Sequence, residues 1–301
     1  VWGGKTARDR IPSEIAVPWV EVAGKLGRPP VLSYASYALD NWRRLDSGRA
    51  VALDNIALLQ SFLGGADEDW FIGVHIEIEA KAAGLLRVIP AAHAAVHHED
   101  ASALEAALGS VAETLESIAA TLSRMPELCD PYIYYLRVRP YIHGWKDHPL
   151  LPRGVIYEGV ESLGGRPQQF RGETGAQSTI VPTIDALLGV RHPEDPLRHY
   201  LREMRDYMPS GHRAFLEAVE AGPDLRACVQ RHAGSRSLAE AYDGCLHWLE
   251  QFHSLHLQYA AEYIHKQGQK TAANPTSVGT GGTRFMPYLA KHRDDTARHR
   301  G

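Results

Sequence analysis

The sequence predicts an all-α fold, on three observations. Leu104, Leu108, Val111, Leu115, Ile118 and Leu122 recur at alternating spacings of four and three, as on one buried helix face. A second long helical pattern runs from about Leu238 to His265. No strand-like segments alternate with helical ones as a βαβ architecture requires. The 301 residues, 44% of them hydrophobic, suffice for one large core or two modest domains.

Residues 1–30 hold Pro12, Pro18, Pro29 and Pro30 with several glycines, and read as an irregular N-terminal segment ahead of a helical body over 31–301. In Phe71 to Pro90, Val74, Ile76 and Ile78 alternate with polar residues as in a strand. At helical spacing, however, Phe71, His75, Ile78, Ala82, Leu85 and Ile89 form one apolar face, and length and alanine content favour helix. Ser102 and Glu105 match a capping box at the start of the 104–122 helix. Residues 145–177 carry so many glycines and prolines that a long ordered loop or binding segment is expected. Helices resume at 178–189, 195–207 and 210–221, then over Leu238–His265. A Gly/Thr/Pro stretch over 267–284 precedes a final short helix.

Lys and Arg total 32 against 36 Asp and Glu, a net charge of -4, which offers no field for nucleic acid or an anionic membrane. Lys291-His292-Arg293 reads as solvated helix surface. Cys129, Cys228 and Cys245 are odd in number and lack CxxC spacing, so neither a disulfide framework nor a cysteine zinc site is expected. With no signal peptide and no apolar run near the ~18 residues of a membrane span, the expected setting is cytoplasmic. The chain starts at Val1 without a methionine, as a trimmed portion of a longer product would.

On the long helix Cys245, Leu249, Phe252, His256, Tyr259 and Tyr263 share a face, placing His256 among apolar neighbours. Such a histidine is either a hydrogen-bonded core residue or a neutral axial ligand to haem iron. His253 lies three residues away, so spacing does not say which would ligate, and a His-x-x-His zinc pair lacks obvious further ligands. His75-Ile76-Glu77 imitates half of a non-haem iron triad. On a helix, residues two apart point about 200° from one another, so that reading needs a strand. A lone His75 on a helix face suits a pocket group that accepts a substrate N–H or steers dioxygen. Tyr132, Tyr134, Tyr135, Arg137, Arg139 and Tyr141 read either as amphipathic packing or as an aromatic pocket with a guanidinium for a carboxylate. Arg171 to Ser178 offers hydroxyls and free amides before a helix, suited to a carboxylate or propionate. Gly279-Thr280-Gly281-Gly282-Thr283 lacks a Walker ending and reads as a mobile lid or a plain turn.

Tyr34-Ala35-Ser36-Tyr37-Ala38-Leu39-Asp40-Asn41-Trp42, Arg87-Val88-Ile89-Pro90, His143-Gly144-Trp145-Lys146 and Ala176-Gln177-Ser178 together resemble the indoleamine 2,3-dioxygenase family. Leu187-Leu188-Gly189, Tyr207-Met208-Pro209, His212-Arg213, His256-Leu257-Gln258 and the Gly279-to-Thr283 run continue the likeness in family order along nearly the whole chain. The resemblance implies a helical domain that binds haem b, active as ferrous iron, with His256 as proximal ligand. It implies dioxygen as co-substrate and opening of the indole C2–C3 bond, turning L-tryptophan into N-formylkynurenine in tryptophan catabolism. By position, Arg139 would bind the substrate carboxylate, and Tyr34, Tyr37, Phe71 and Tyr134 would line the indole pocket. Thr174 would sit near a haem propionate and the substrate ammonium, and Thr280 on a closing loop. The family's smaller N-terminal domain is expected to be largely absent.

Three departures bear on the substrate. His75 stands where mammalian members carry serine, and is similar to the distal histidine of tryptophan 2,3-dioxygenase. Tyr134 and Tyr135 replace phenylalanines beside the haem, and Glu173 brings a carboxylate near the pocket. Alternatives remain a related haem oxygenase acting on free or substituted indole, with insertion of one oxygen, or a non-catalytic haem sensor. A reductant is implied, yet no flavin- or NAD-binding fingerprint is present.

Overall fold

The computed structural model describes residues 7–270, 280 and 285–299. Its architecture is helical. α4 (Ala101–Ser123) and α10 (Arg236–Ala260) form the central pair, with α2 (Ala66–Ala82) and α3 (Leu85–His97) against α4, and α12 (Phe285–Ala297) against α10. The expected stripe on α4 is the core: Leu104, Leu108, Val111, Leu115 and Ile118 are fully buried with Leu238, Cys245, Leu246 and Leu249 of α10. Each such aliphatic side chain contributes on the order of 1.5–3 kcal/mol through burial. The Cys245 thiol donates to the Leu108 carbonyl at 3.1 Å, fixing the register of the pair. The helix starts differently from the expected capping box. Asp100 is the N-cap and accepts from the Ala103 N–H at 3.0 Å, so Ser102 already lies inside the first turn.

The Phe71–Pro90 region is helical, as its apolar face required, but it is two helices broken at Ala83-Gly84. Ile72, Val74, Ile76 and Ile78 are all buried because α2 is covered nearly all round. That enclosure produces the strand-like alternation. Within the described part of the N-terminal segment, residues 7–30, the chain is ordered rather than irregular. α1 (Ser13–Lys25) begins there because Pro12 occupies the N-cap, where its carbonyl accepts from Ile15 and Ala16, and Gly27 follows the last turn at φ 65°.

Four short strands form two two-stranded sheets. β1 (Arg10–Ile11) pairs in parallel with β4 (Ile156–Tyr157), and β2 (Trp42–Arg44) pairs antiparallel with β3 (Ile56–Leu58). The long segment 145–177 is an ordered loop, as expected. Its Trp145, Leu151, Val155 and Tyr157 pack with Ile11, Ala16 and residues of α7 (Pro196–Met204) in a second core. α6 (Ile180–Leu188), α7 and α8 (Ser210–Glu220) fall where periodicity put them. α9 (Leu225–Arg231), capped by Asp224, is an addition: seven residues are too few to show a period. α5 (Pro131–Ile133) and α10 each run on into a π-helical turn, at Tyr134–Val138 and Ala261–His265, and a third such turn spans Ala35–Leu39. α11 (Lys266–Lys270) follows the second of these, so helix continues past the break expected at 267, and the rest of that stretch apart from Thr280 lies outside the described residues. No helix among the described residues is long and apolar enough to cross a membrane.

Candidate functional site

A cavity of about 1180 Å³ opens between α2, the Tyr134–Val138 turn, the 173–178 segment and the C-terminal part of α10, and extends on along α6 to α9 and α12. It exceeds the ~300–1,000 Å³ usual for a single small ligand, leaving room for a macrocycle and a substrate together. Of the residues expected to carry function, Tyr34, Phe71, His75, Tyr134, Thr174, His256 and Thr280 line it.

His256 is exposed in area, yet what it exposes is cavity wall. Removal from bulk water, reinforced by the nearby His75 and His292, pushes its pKa down to about 4, so the imidazole is neutral at physiological pH. His253 faces other surroundings. It is buried, its Nδ1 lies 3.4 Å from Thr296 Oγ1 of α12, and its ring stands 5.5 Å from that of His292. The geometry thus separates two histidines that spacing left equivalent: His253 is engaged by α12, while no described residue hydrogen-bonds the His256 ring.

On α2, His75 Nδ1 lies 2.7 Å from the Phe71 carbonyl. A carbonyl only accepts, so Nδ1 carries the proton and Nε2 keeps its lone pair. Burial lowers the His75 pKa, which preserves that neutral tautomer. Phe71 packs on His75 at 4.6 Å and on Tyr134 at 4.7 Å, and Tyr134 meets Tyr263 edge-on at 5.7 Å, giving a continuous aromatic wall. Glu77 points away from this wall. Its carboxylate accepts from Leu53 N–H, from Thr121 and from Lys81, so it does not converge with His75 on a metal.

The floor of the 171–178 segment is fixed by a close crossing of two loops. A Cβ on Gly144 would lie 2.1 Å from Gly172 N, and one on Gly172 would lie 2.2 Å from Gly144 N, so only glycine fits at either place. The Thr280 hydroxyl donates to the Glu173 carbonyl at 2.5 Å, and Gly144 N–H donates to the Thr280 carbonyl at 3.3 Å. Gln177 ties the same segment to the first π-helical turn, accepting from Tyr34 N–H at 2.9 Å and donating to the Gly172 carbonyl at 2.8 Å. Thr174 caps the short turn 175–177, its hydroxyl accepting from Ala176 N–H at 3.4 Å. Glu173 is 4% exposed, lines the cavity, and has its pKa pushed up to about 8 by burial. Of the expected lid, Gly279, Gly281, Gly282 and Thr283 lie outside the described residues.

Two expected site residues stand one layer back. Tyr37 packs behind Phe71 at 6.4 Å, with Ile72, Ile76 and Ile142. Arg139 is 0% exposed, with its guanidinium 5.8 Å over the Tyr135 ring, and it is not part of the cavity wall in this conformation. His292, expected at a solvated surface, is instead drawn inward, and burial pushes its pKa down to about 4. Glu79 was not singled out by the sequence, yet Ser178 Oγ donates to it at 2.6 Å and Tyr34 also hydrogen-bonds it. A signal existed: Glu79 lies four residues after His75, on the same helix face.

The family model described as indoleamine 2,3-dioxygenase matches residues 1–299. Indoleamine 2,3-dioxygenase 1 of Rattus norvegicus is 37% identical over 309 residues, covering 98% of this chain and 75% of the rat protein. The indoleamine 2,3-dioxygenase of Saccharomyces cerevisiae is 34% identical over 341 residues, covering 98% and 74%. A 6-hydroxytryptophan 2,3-dioxygenase of Fusarium equiseti is 33% identical over 305 residues, covering 95% and 74%. The helical cavity with its neutral histidine and the full-length match agree, and the chain belongs to the indoleamine 2,3-dioxygenase family.

Proposed function

We propose that this protein is a haem-dependent dioxygenase that opens the indole C2–C3 bond of L-tryptophan to give N-formylkynurenine. The carrying observation is a neutral, uncommitted His256 imidazole on the wall of an aromatic cavity that also presents the His75 Nε2 lone pair. The donor set fits haem b. His256 would hold the iron with its neutral imidazole, the walls are largely apolar, and the Thr174 hydroxyl, which accepts from Ala176 N–H, keeps its own proton for a propionate. Bound ferrous haem would supply the activation of dioxygen that no side chain here provides.

The protein's own contribution is placement and exclusion of water. Phe71, Tyr134 and Tyr34 offer an aromatic wall against which a flat ring packs. His75 Nε2 accepts the indole N–H and so fixes which edge of the ring is presented, a positioning role that needs no proton transfer. Glu173, beside Thr174 and Thr280, pairs with the substrate ammonium, which offsets the cost of its buried charge. Arg139 supplies positive charge behind the Tyr134 wall and meets the substrate carboxylate only by turning into the cavity. Thr280, already bonded to Glu173, closes the segment over the substrate. An external reductant keeps the iron ferrous, and a reducing, cytoplasmic setting agrees with three free cysteines. A second reading, a ring-hydroxylated tryptophan, draws on the extra acceptor Glu173 and on the likeness to the 6-hydroxytryptophan 2,3-dioxygenase of Fusarium equiseti.

The test is a single turnover of haem-loaded, reduced protein with L-tryptophan and air, read by product mass. Gain of two oxygen atoms is expected. Gain of one would make the protein a monooxygenase, and unchanged tryptophan alongside turnover of a hydroxylated analogue would select the second reading.

A further inference from the structure

α6 ends in a turn that folds the chain back on itself. Gly189 adopts φ 67°, Val190 N–H donates to the Asp185 carbonyl at 2.9 Å, and Gly189 N–H donates to that of Ala186 at 3.3 Å. This reversal brings His192 onto Asp185, with Nε2 3.2 Å from Asp185 Oδ2. The other ring nitrogen, Nδ1, lies 3.1 Å from Asp295 Oδ2 on α12. α12 also delivers His292, whose ring stands 4.7 Å from that of His192. One donor atom from each of Asp185, His192 and His292 falls within 4.8 Å of the others.

Two further observations point to a ligand. Asp185 is 7% exposed, and its Oδ1 has no hydrogen-bond partner; neither has Nδ1 of His292, and both atoms are shut off from solvent. Leaving buried polar atoms unpaired is unfavourable, and a shared cation removes that penalty. Asp295, in turn, is held by Lys291 at 3.0 Å and Arg298 at 2.8 Å, so it sits as a neutralised acceptor for the His192 Nδ1–H. With one ring proton committed to Asp295, Nε2 meets the Asp185 carboxylate across 3.2 Å, where a cation binds by displacing the second ring proton. A carboxylate that orients a histidine in this way is the usual support behind a metal-ligating imidazole.

We propose that Asp185, His192 and His292 form a binding site for a divalent transition-metal ion of the zinc class, with Asp295 orienting His192. Two imidazoles and one carboxylate are the donor set such an ion takes, and all three side chains also line the main cavity, which leaves a coordination position open toward it. The ion ties α12 to α6. Because His292 and Thr296 of α12 also touch His253, three residues before His256 on α10, the same tie steadies the helix that carries the cavity histidine.

The test uses untagged, haem-loaded protein stripped with a chelator and then titrated with zinc chloride. Zinc per chain is measured by elemental analysis, and melting temperature with and without zinc. One zinc per chain beyond the haem iron is expected, with a raised melting temperature. His192→Ala and His292→Ala should lose both effects while keeping the haem Soret band, and His192→Ala should also lower the metal-free melting temperature because Asp185 and Asp295 lose their shared partner. Asp295→Asn should weaken zinc binding roughly 10–100-fold without abolishing it. Absence of stoichiometric zinc in the parent protein overturns the proposal, as does its retention in His292→Ala. Loss of haem instead of zinc from that variant also overturns it, because the cluster would then serve a cofactor carboxylate.

Discussion

Replacing His75 by alanine isolates the positioning role assigned to its ring. The Nδ1–H is committed to the Phe71 carbonyl at 2.7 Å, so the cavity sees only an Nε2 acceptor, and that acceptor stays neutral because burial lowers its pKa. One hydrogen bond between uncharged partners contributes about 0.5–1.5 kcal/mol net, which corresponds to roughly a 2- to 13-fold loss of substrate affinity. His75→Ala should therefore raise the dissociation constant for L-tryptophan by that factor, read from the substrate-induced shift of the haem spectrum, while turnover stays measurable. An analogue methylated on the indole nitrogen has no N–H to give. It should bind parent and variant about equally, so the two changes form a coupling cycle in which the penalty appears once. Complete loss of turnover with haem intact would refute the reasoning, since the ring would then be moving a proton. So would an equal penalty for the methylated analogue.

Four further outcomes follow from the same geometry. His256→Ala should abolish stoichiometric haem binding, seen as loss of the Soret band, with helical circular dichroism retained because the α4–α10 core does not use that side chain. Glu173→Gln should stabilise the ligand-free protein at pH 7. The parent carboxyl resists ionisation up to about pH 8, whereas it ionises near 4.3 once unfolded, a difference of as much as about 3 kcal/mol in melting experiments at pH 7. The same variant should lose the preference for tryptophan over its analogue lacking the amino group. Ligand-free protein should lose stability as pH falls from about 6.5, where unfolded histidines take up protons. His256 and His253 refuse them in the fold until about pH 4 and about pH 3, so melting temperature should drop steadily across that window. Gly172→Ala should cost about 1–3 kcal/mol or more in denaturant unfolding, because the added carbon meets the Gly144 backbone rather than a side chain that can turn away.

The helices with one buried face were legible in the sequence, since α4 and α10 repeat their apolar residues at the helical period over many turns. α2 carries a strand-like alternation because enclosure on all sides erases the polar face that marks a helix, leaving length and alanine content to identify it. α1 is masked in the sequence by Pro12, which resembles a breaker although its position makes it a starter. Within the site, the residues carried by the family motifs reach the cavity, with Arg139 and Tyr37 the exceptions one layer behind. Distant partners separate residues that spacing leaves equivalent: Thr296 engages His253 and not His256, and Ser178 reaches Glu79 across 99 positions. Such pairings exist only once the helices have packed, so no local pattern announces them.

The three π-helical turns have a consequence for how the chain tolerates changes in length. Ala35–Leu39 carries Tyr37, Tyr134–Val138 carries Tyr134, and Ala261–His265 carries Tyr263, so each holds a tyrosine of the aromatic layer. A π-turn holds one residue more than an α-turn, and one residue rotates everything beyond it by about 100°. Deleting a single residue there leaves an ordinary helix behind, with its backbone hydrogen bonds intact, but swings the downstream face away from its partners. These turns are thus the places where descent could add or remove one residue, keep the helix, and re-aim the tyrosines of the aromatic layer.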